Sequence, residues 1–232
     1  MHILITRPLD DSEEIILKFR DLGHKVSHMP VIEIEKVSFQ DIDFGEYKAL
    51  IFTSANSLKF LDTKKIHKKV FCFCVGLATE KKALQLGFQN VITAEGNVRN
   101  LEELIQQNFN SSDGKILYIS GEVISNDLDK NLNLKGYNVK RIINYKTKPI
   151  QKLDDKFIQS LKLNIPQIVY IYSKSSAESF LNLSKYYDLN DYWMNTNLMC
   201  MSEKTSSVLN KIKWKKIFLF SPGEEEYLLY KI

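Results

Sequence analysis

Small and hydroxyl-bearing residues follow nearly every apolar run of the sequence, at the point where a polar, helix-like segment begins. These residues are Thr6 and Arg7, Thr53 to Asn56, Gly76, Ser120 and Gly121, Ser173 to Ser175, and Ser202. Ligands of open parallel sheets bind beyond the carboxyl ends of the strands, where helix N-termini attract anions. The pattern therefore predicts sites for carboxylates or phosphates. Ordinary helix capping is the structural alternative, and it is the better explanation of any one of these residues taken alone.

Motifs for nucleotides, metals and common hydrolases do not occur in the sequence. No GxGxxG follows a predicted strand, and GxxxxGK[ST] and G-x-S-x-G are missing. Cys72, Cys74 and Cys200 have no further ligands at the spacing of a zinc site, so we expect no metal. Trp193 and Trp214 are expected to pack in a core rather than to stack on a ligand.

Composition and charge narrow the class of protein. The net charge of +4 is too small and too evenly spread to favour nucleic acid, and it suits a small acidic ligand better. No apolar stretch approaches the roughly 20 residues of a membrane span, and the N-terminus does not resemble a signal peptide. The odd, low number of cysteines indicates a reducing compartment. We expect a cytoplasmic protein without a membrane partner, and a monomer by default.

Short apolar runs alternate with amphipathic segments along the chain. The runs are continuous rather than alternating, which is typical of parallel strands buried on both faces. They span residues 3–6, 49–53, 70–75, 115–120, 137–143, 167–172, 197–201 and 216–220. Capping-box spacing predicts helices that begin near Asp11, Asn100 and Ser175. The alternation predicts an α/β protein with parallel sheets.

An internal repeat divides the sequence into four parts. Segment 3–26 (A) aligns without a gap with 116–139 (A′). A looser pair, B and B′, consists of two matches: 49–61 resembles 168–181, which matches Ser54 with Ser173, and 75–79 resembles 201–205, which matches Thr79 with Thr205. The order A–B–A′–B′ predicts two similar domains. The repeat alone leaves open whether A shares its domain with B or with B′.

Seven further motifs follow one another along the chain: ILITRP (3–8), IFTSANSLKF (51–60), VGLAT (75–79), GKILYISG (114–121), GYNVKRIINYKT (136–147), YIYSKSSAESF (170–180) and SEKTSSVL (202–209). Taken in this order, they resemble the motifs of uroporphyrinogen-III synthase over roughly residues 3–229. The resemblance implies two parallel-sheet α/β domains of Rossmann or flavodoxin-like type, joined by a two-stranded connector, with a cleft between them. It implies interleaving, with residues 1–34 and 149–232 in the first domain and 35–148 in the second.

The resemblance also implies a reaction. Hydroxymethylbilane, which carries two carboxylates on each pyrrole, loses its terminal hydroxyl to give an azafulvene. Attack by the substituted carbon of ring D gives a spiro intermediate, whose fragmentation and closure yield uroporphyrinogen III with ring D inverted. The implied enzyme is a cyclising lyase without a cofactor. Its expected partner is the anionic linear tetrapyrrole, received by a transient hand-over from the preceding enzyme of the pathway.

Individual residues match the motifs of the family. Tyr145 matches the tyrosine proposed to help the hydroxyl leave, although packing at a domain junction is the alternative role. The expected substrate-binding residues are Arg7, Ser54, Asn56, Gly76, Thr79, Ser120, Gly121, Ser173, Lys174 and Thr205. Two positions depart from the family pattern. Ser202 stands where glycine is common, and Ser120 stands where a basic residue often precedes the glycine that Gly121 matches.

Two other functions fit the same sequence. A non-catalytic two-lobed binding or regulatory module could keep the fold and lose the chemistry, and the departures at Ser120 and Ser202 favour it. A two-domain α/β transferase acting on an anionic substrate is the other alternative. Formation of the type III isomer from hydroxymethylbilane separates both from a synthase.

Overall fold

The computed structural model describes residues 1–95, 98–221 and 223–231. Its strands are β1 (His2–Ile5), β2 (Lys25–His28), β3 (Ile32–Lys36), β4 (Tyr47–Phe52), β5 (Phe71–Val75), β6 (Asn90–Ala94), β7 (Lys115–Gly121), β8 (Asn138–Pro149), β9 (Ile168–Ile171), β10 (Asn197–Cys200) and β11 (Lys216–Leu219). Its α-helices are α1 (Glu13–Asp21), α2 (Ala55–Lys59), α3 (Leu77–Gln85), α4 (Val98–Asn108), α5 (Leu128–Leu134), α6 (Asp155–Leu163), α7 (Lys174–Tyr186) and α8 (Glu203–Leu209). Short 3₁₀-helices span Leu9–Asp11, Phe44–Glu46, Thr63–Lys65, Asn190–Asn195 and Tyr227–Lys231.

The chain divides into two compact units. Unit 1 consists of Met1–Glu33 with Lys148–Ile232, and unit 2 is Ile34–Thr147. The predicted domain ranges differ from these units by one residue at each boundary. The structure is mixed α/β, as the alternation of apolar and amphipathic segments predicts.

The sheet of unit 1 has five parallel strands in the order β11-β10-β9-β1-β2. Counted along the chain within the unit, this is the order 2-1-3-4-5 of flavodoxin-like sheets. Three central strands are buried along most of their length, because helices cover both faces of a parallel sheet. On one face Ile3, Ile5, Phe19, Tyr170 and Met199 belong to a single core cluster.

The sheet of unit 2 has the order β3-β8-β7-β4-β5-β6. Its strands β8-β7-β4-β5-β6 are parallel and repeat the spatial order of unit 1 with a permuted chain. Segments A and B′ thus share the first sheet, and segments A′ and B share the second. The strands are thus interleaved between the two sheets in the order of the chain.

Strands β3 and β8 form the connector between the units. The Val37 N–H donates to the Asn144 carbonyl and the Ile150 N–H donates to the Val31 carbonyl, both at 2.9 Å, so the two strands run antiparallel. Lysines of β8 also pair with glutamates of β3, with Lys146–Glu35 at 3.3 Å and Lys148–Glu33 at 3.4 Å. The chain therefore passes between the units along two paired strands, as the resemblance implies.

The three cysteines are core residues. Cys72 and Cys74 alternate along β5 and lie in one core cluster, as the C-x-C spacing predicts. All three thiols are free and buried. Burial raises the pKa of Cys74 and Cys200 to about 12 and raises the pKa of Cys72 further, so the thiols stay protonated at neutral pH. Their role is to fill apolar space.

Three predicted helix starts are displaced by one to three residues. The N-cap of α7 is Ser173 rather than Ser175, and the N-cap of α1 is Ser12 rather than Asp11. Asn100 lies inside α4, which begins at Val98.

In the described ranges, no helix is long and apolar enough to cross a bilayer. The cytoplasmic location stays a prediction.

Candidate functional site

The carboxyl ends of the unit 2 strands bring together four of the predicted site residues. In the strand register, Phe52 pairs with Cys74 on one side and with Ile119 on the other. Ser54, Gly76 and Gly121 each stand two residues beyond one of these paired positions. They therefore lie side by side at one edge of the sheet, which we call the unit 2 rim. Tyr145 joins them because it pairs with Gly121.

The ring of Tyr145 lies against the backbone of Gly121. A β-carbon placed on Gly121 would come within 2.7 Å of Cζ, 2.8 Å of Cε2 and 2.9 Å of the hydroxyl oxygen of Tyr145. The backbone of Tyr145 is also bound to the end of β7, because the Glu122 N–H donates to the Tyr145 carbonyl at 2.9 Å. Gly121 thus leaves space for the phenol ring at the rim, and the hydrogen bond of Glu122 fixes the part of β8 that carries Tyr145.

A second tyrosine hydroxyl belongs to the same region. The hydroxyl oxygens of Tyr118 and Thr53 are 3.0 Å apart. Burial raises the pKa of Tyr118, an effect that the hydrogen bond to Thr53 and the positive charge of Arg141 partly offset. Tyr145 also contributes to raising that pKa, which places the two phenols in the same electrostatic environment. Tyr118 is fully buried, so its role is to pack beneath the unit 2 rim and to hydrogen-bond Thr53 at the end of β4.

The contact between Gly121 and Tyr145 leads to a stability prediction. Replacing Gly121 with alanine should lower the free energy of unfolding by about 1–3 kcal/mol, because the new methyl group overlaps an aromatic ring. Gly121 is not among the glycines with positive φ, so backbone strain adds nothing. Urea denaturation measures the effect. In a Tyr145→Ala background the same change should cost under about 0.5 kcal/mol, and an equal cost in both backgrounds would disprove the contact.

Ser120 keeps its hydroxyl inside the protein, at the end of β7. It is fully buried, and its Oγ lies 3.0 Å from the Gly121 carbonyl oxygen to which it donates. The same oxygen accepts a hydrogen bond from Nε of Arg141 at 2.7 Å. The structure therefore gives Ser120 a structural role, and we leave it out of the proposed binding residues.

The unit 1 rim, defined by the residues that follow β1, β9 and β10, holds most of the other predicted residues. Arg7 follows β1, and its guanidinium carbon lies 4.6 Å from the ring centre of Tyr172. Tyr172 is buried, which raises its pKa, and its hydroxyl has no hydrogen-bond partner in the described part of the chain. Lys174 is exposed and lies 3.6 Å from the carboxylate of Glu178. Arg7 and Lys174 supply two positive charges to this rim.

The paired serines cap helices in both units. Ser54 accepts a hydrogen bond from the Asn56 N–H at 3.3 Å, at the start of α2. Ser173 accepts one from the Ser176 N–H at 3.1 Å, at the start of α7. Capping satisfies one free N–H and leaves the other donors of the first turn exposed at the helix start. Both serines therefore hold a helix N-terminus in place at a strand end.

The paired threonines occupy equivalent places. Thr79 and Thr205 are the third residues of α3 and α8, and they are 3% and 2% exposed. The Thr205 Oγ1 lies 3.0 Å from the Oγ of Ser202, which caps α8, whereas Gly76 takes the cap position before α3 with φ of 77°. Ser202 thus replaces glycine at a helix cap, where serine is a favoured residue.

The described residues offer no metal site, because they contain no group of three or more His, Cys, Asp or Glu side chains that could hold an ion.

What the two rims share is a row of helix starts at strand ends, which attract anions. In flavodoxin-like sheets a ligand binds where the strand order reverses. That point lies between β1 and β9 in unit 1, beside Arg7 and Ser173.

A family model described as "Uroporphyrinogen-III synthase HemD" matches residues 13–221. The chain belongs to the uroporphyrinogen-III synthase HemD family. The porphyrin biosynthesis protein HemD of Ruminiclostridium josui is 24% identical over 224 residues, which cover 90% of this chain and 44% of that protein. The chain thus spans less than half the length of this HemD relative.

Two solved structures of uroporphyrinogen-III synthases have a similar fold. The uroporphyrinogen-III synthetase of Helicobacter pylori superposes with a TM-score of 0.63 at 19% identity, covering 100% of this chain and 99% of that one. A mutant uroporphyrinogen III synthase of Thermus thermophilus gives a TM-score of 0.54 at 15% identity, with both chains fully covered. At these identities the likeness concerns the fold.

Sequence reasoning missed one rim residue. Arg141 lies in the middle of β8, where the run YNVKRII reads as an ordinary strand. Its side chain reaches the end of the neighbouring strand β7, where Nη2 donates to the carbonyls of Gly121 at 2.8 Å and Glu122 at 3.0 Å. The strand register would have revealed it, since Arg141 pairs with Tyr118, three residues before Gly121.

Proposed function

We propose that the chain is a uroporphyrinogen-III synthase, a lyase that closes hydroxymethylbilane to uroporphyrinogen III with inversion of ring D. Family membership over residues 13–221 carries this proposal. The name of the Ruminiclostridium relative, a porphyrin biosynthesis protein, agrees with it. The substrate is an anionic linear tetrapyrrole, and the two rims offer helix starts and positive charges that suit its carboxylates.

Each rim has its own set of binding groups in this proposal. In unit 1, Arg7, Ser173, Lys174 and Thr205 surround helix starts that would hold acetate and propionate side chains. In unit 2 the corresponding residues are Ser54, Asn56, Gly76, Thr79 and Gly121. The nearly buried threonines shape the helix starts, and backbone N–H groups make the contacts with the carboxylates. The positive ends of the helix dipoles add to the attraction.

Tyr145 is the proposed catalytic residue. Its phenol would donate a hydrogen bond to the terminal hydroxyl of the bilane as the carbon–oxygen bond breaks. The hydroxyl leaves as water with the proton of the pyrrole nitrogen, which gives the azafulvene. The substituted carbon of ring D then attacks the azafulvene, and the spiro intermediate fragments and closes while the proton lost from the ring D carbon returns to a pyrrole nitrogen. A phenol is a weak acid, so its placement against Gly121 matters more than its acidity. Holding the bilane folded favours the spiro route over direct end-to-end closure.

One assay tests the proposal. Freshly made hydroxymethylbilane is supplied to the protein, the products are oxidised, and the isomers are resolved by chromatography. A synthase gives type III above the spontaneous type I background. Binding of the bilane without turnover would identify the non-catalytic module instead, and neither binding nor turnover would point to the transferase. Hand-over of the bilane from the preceding enzyme is a separate proposal, tested by adding that enzyme and measuring type I leakage.

Replacing Ser173 separates its capping role from its place in an anion site. Ser173→Ala should lower the free energy of unfolding by about 1 kcal/mol, because the N-cap of α7 is lost. Ser173→Asp keeps the cap and should unfold within about 0.5 kcal/mol of the parent, yet its negative charge should raise KM for hydroxymethylbilane several-fold. An unchanged KM in Ser173→Asp would exclude carboxylate binding at this helix start.

A further inference from the structure

Arg141 is held at the unit 2 rim by three hydrogen bonds from its guanidinium. Nε donates to Ser120 Oγ at 2.7 Å, and Nη2 donates to the carbonyls of Gly121 and Glu122 at 2.8 and 3.0 Å. The fork geometry of the guanidinium fits these acceptors at the end of β7 and fixes the group in one orientation. Arg141 and Tyr145 thus contact the same residue, Gly121.

The positive charge of Arg141 is not neutralised in the described part of the chain. Its three acceptors are a hydroxyl and two carbonyls, and Nη1 makes no hydrogen bond to any described residue. Two carboxylates belong to this region. Glu122 is in the turn after β7, and Asp129 of α5 acts, like Arg141, on the pKa of Tyr118. Neither forms an ion pair with Arg141, and the Oδ1 of Asp129 is buried without a hydrogen-bond partner.

Arg141 gives the unit 2 rim a positive charge that the residues predicted from sequence do not supply there. The residues expected from sequence to bind substrate in unit 2 are all uncharged, whereas those of unit 1 include Arg7 and Lys174. A half-buried guanidinium held only by neutral dipoles still has donors and charge to offer, and a carboxylate is the group that completes both.

We propose that Arg141 binds a carboxylate of the tetrapyrrole beside Tyr145 through its Nη1 donors, and is the cationic substrate-binding residue of the unit 2 rim. This inference rests on the proposed synthase function. Its Nε and Nη2 hydrogen bonds fix the guanidinium before the substrate arrives, so little side-chain entropy is lost on binding. Arg141 therefore contributes to affinity and to the placement of one pyrrole next to the phenol.

Three variants test the proposal. Arg141→Gln removes the charge and keeps a hydrogen-bond donor for the strand-end carbonyls. It should raise KM for hydroxymethylbilane about tenfold or more, as expected for a charge-assisted hydrogen bond, with kcat changed less than about threefold. Arg141→Lys keeps the charge without the fork and should give a KM between the two. Lys140→Gln removes an exposed neighbouring charge on β8 and should leave KM within about twofold.

Ionic strength gives a readout that a purely structural role would not move. Salt should raise the KM of the parent more steeply than that of Arg141→Gln, because one charge–charge contact is missing in the variant. Circular dichroism and thermal unfolding show whether each variant is folded. If Arg141→Gln does not fold, Arg141→Lys decides: a raised KM at parental kcat supports the proposal. A parental KM in the folded glutamine variant, or a lowered kcat alone in either variant, overturns it.

The failure of the proposed function can be told apart from the failure of this inference. Uroporphyrin I, a tetrapyrrole with carboxylates on every ring, serves as a non-reacting probe whose binding is followed by fluorescence. If the parent makes no type III isomer but binds uroporphyrin, and Arg141→Gln weakens that binding about tenfold, the synthase proposal falls and the anion site stands. If the parent makes type III and the variant matches it in KM and in probe affinity, only the Arg141 assignment falls. No probe binding by an inactive parent removes both.

Discussion

Tyr145→Phe is expected to lower the rate of uroporphyrinogen III formation about a hundredfold, with little change in KM for hydroxymethylbilane. The phenol is proposed to donate to the departing hydroxyl, and a positioned donor of this kind typically contributes a factor of about 10²–10⁴. The lower end of that range applies because a phenol is a weak acid. The ring remains in place against Gly121 in the phenylalanine variant, so packing at the rim is preserved.

The measurement is the initial rate of type III formation, with spontaneous type I product subtracted. Tyr137→Phe is a matched control, since Tyr137 directly precedes β8, at the opposite end of the strand from the rim, and its hydroxyl donates to the Phe109 carbonyl at 3.0 Å. It should lose about 1 kcal/mol of stability and keep its rate. A parental rate in Tyr145→Phe would remove this residue from the mechanism and leave it a packing role.

Much of the fold could be predicted because its strands are buried on both faces. Continuous apolar runs such as ILIT and VFCFCV predict the inner strands of parallel sheets, and β1 and β5 lie where these runs predict. The strands missing from that prediction, β2, β3 and β6, lie at or near sheet edges and are only partly buried. These three strands carry polar residues, so composition does not mark them, whereas the apolar run KIFLF marks the edge strand β11.

Helix starts were predicted only to within a few residues, because the capping pattern does not say where the preceding strand ends. A serine and a glutamate three residues apart satisfy the capping-box pattern at Ser175, yet the chain uses Ser173, which lies two residues beyond the end of β9. The strand determines where the chain leaves the sheet, and the helix begins as soon as a cap is present. Local spacing alone does not contain that tertiary constraint.

For the site residues too, local motifs predicted the identity of some residues but not the contacts that depend on strand pairing. Tyr145 and Gly121 could be identified from motifs, but their contact follows from the pairing of β7 with β8, which no local pattern shows. Ser120, which was expected to bind substrate, and Arg141, for which the sequence predicted no role, depart from the sequence analysis for the same reason. The serine turns inward, and an arginine from the adjacent strand reaches the position that the serine does not fill. Side chains that cross between strands require the register, and register is a property of the folded sheet.

The largest stability effect is expected from Trp193→Ala, at about 3–5 kcal/mol. Trp193 is fully buried in unit 1, with its ring centre 5.2 Å from that of Phe180 and 6.0 Å from that of Trp214. Its indole N–H also donates to Ser184 Oγ at 3.2 Å. The alanine variant leaves a large cavity and an unpaired hydroxyl, and rigid neighbouring rings cannot close over that space.

Urea denaturation followed by far-UV circular dichroism measures the loss, because the substitution removes a fluorescent probe. Tyr192→Ala is the control, since Tyr192 is adjacent, aromatic and 39% exposed, and it should cost under about 1 kcal/mol. A typical domain is stable by only about 5–15 kcal/mol, so the tryptophan variant should lose a large share of the stability of unit 1. Equal losses in the two variants would mean that Trp193 is not the centre of this aromatic cluster. A larger loss at Trp193 would show that burial, rather than aromatic character alone, gives the residue its contribution to stability.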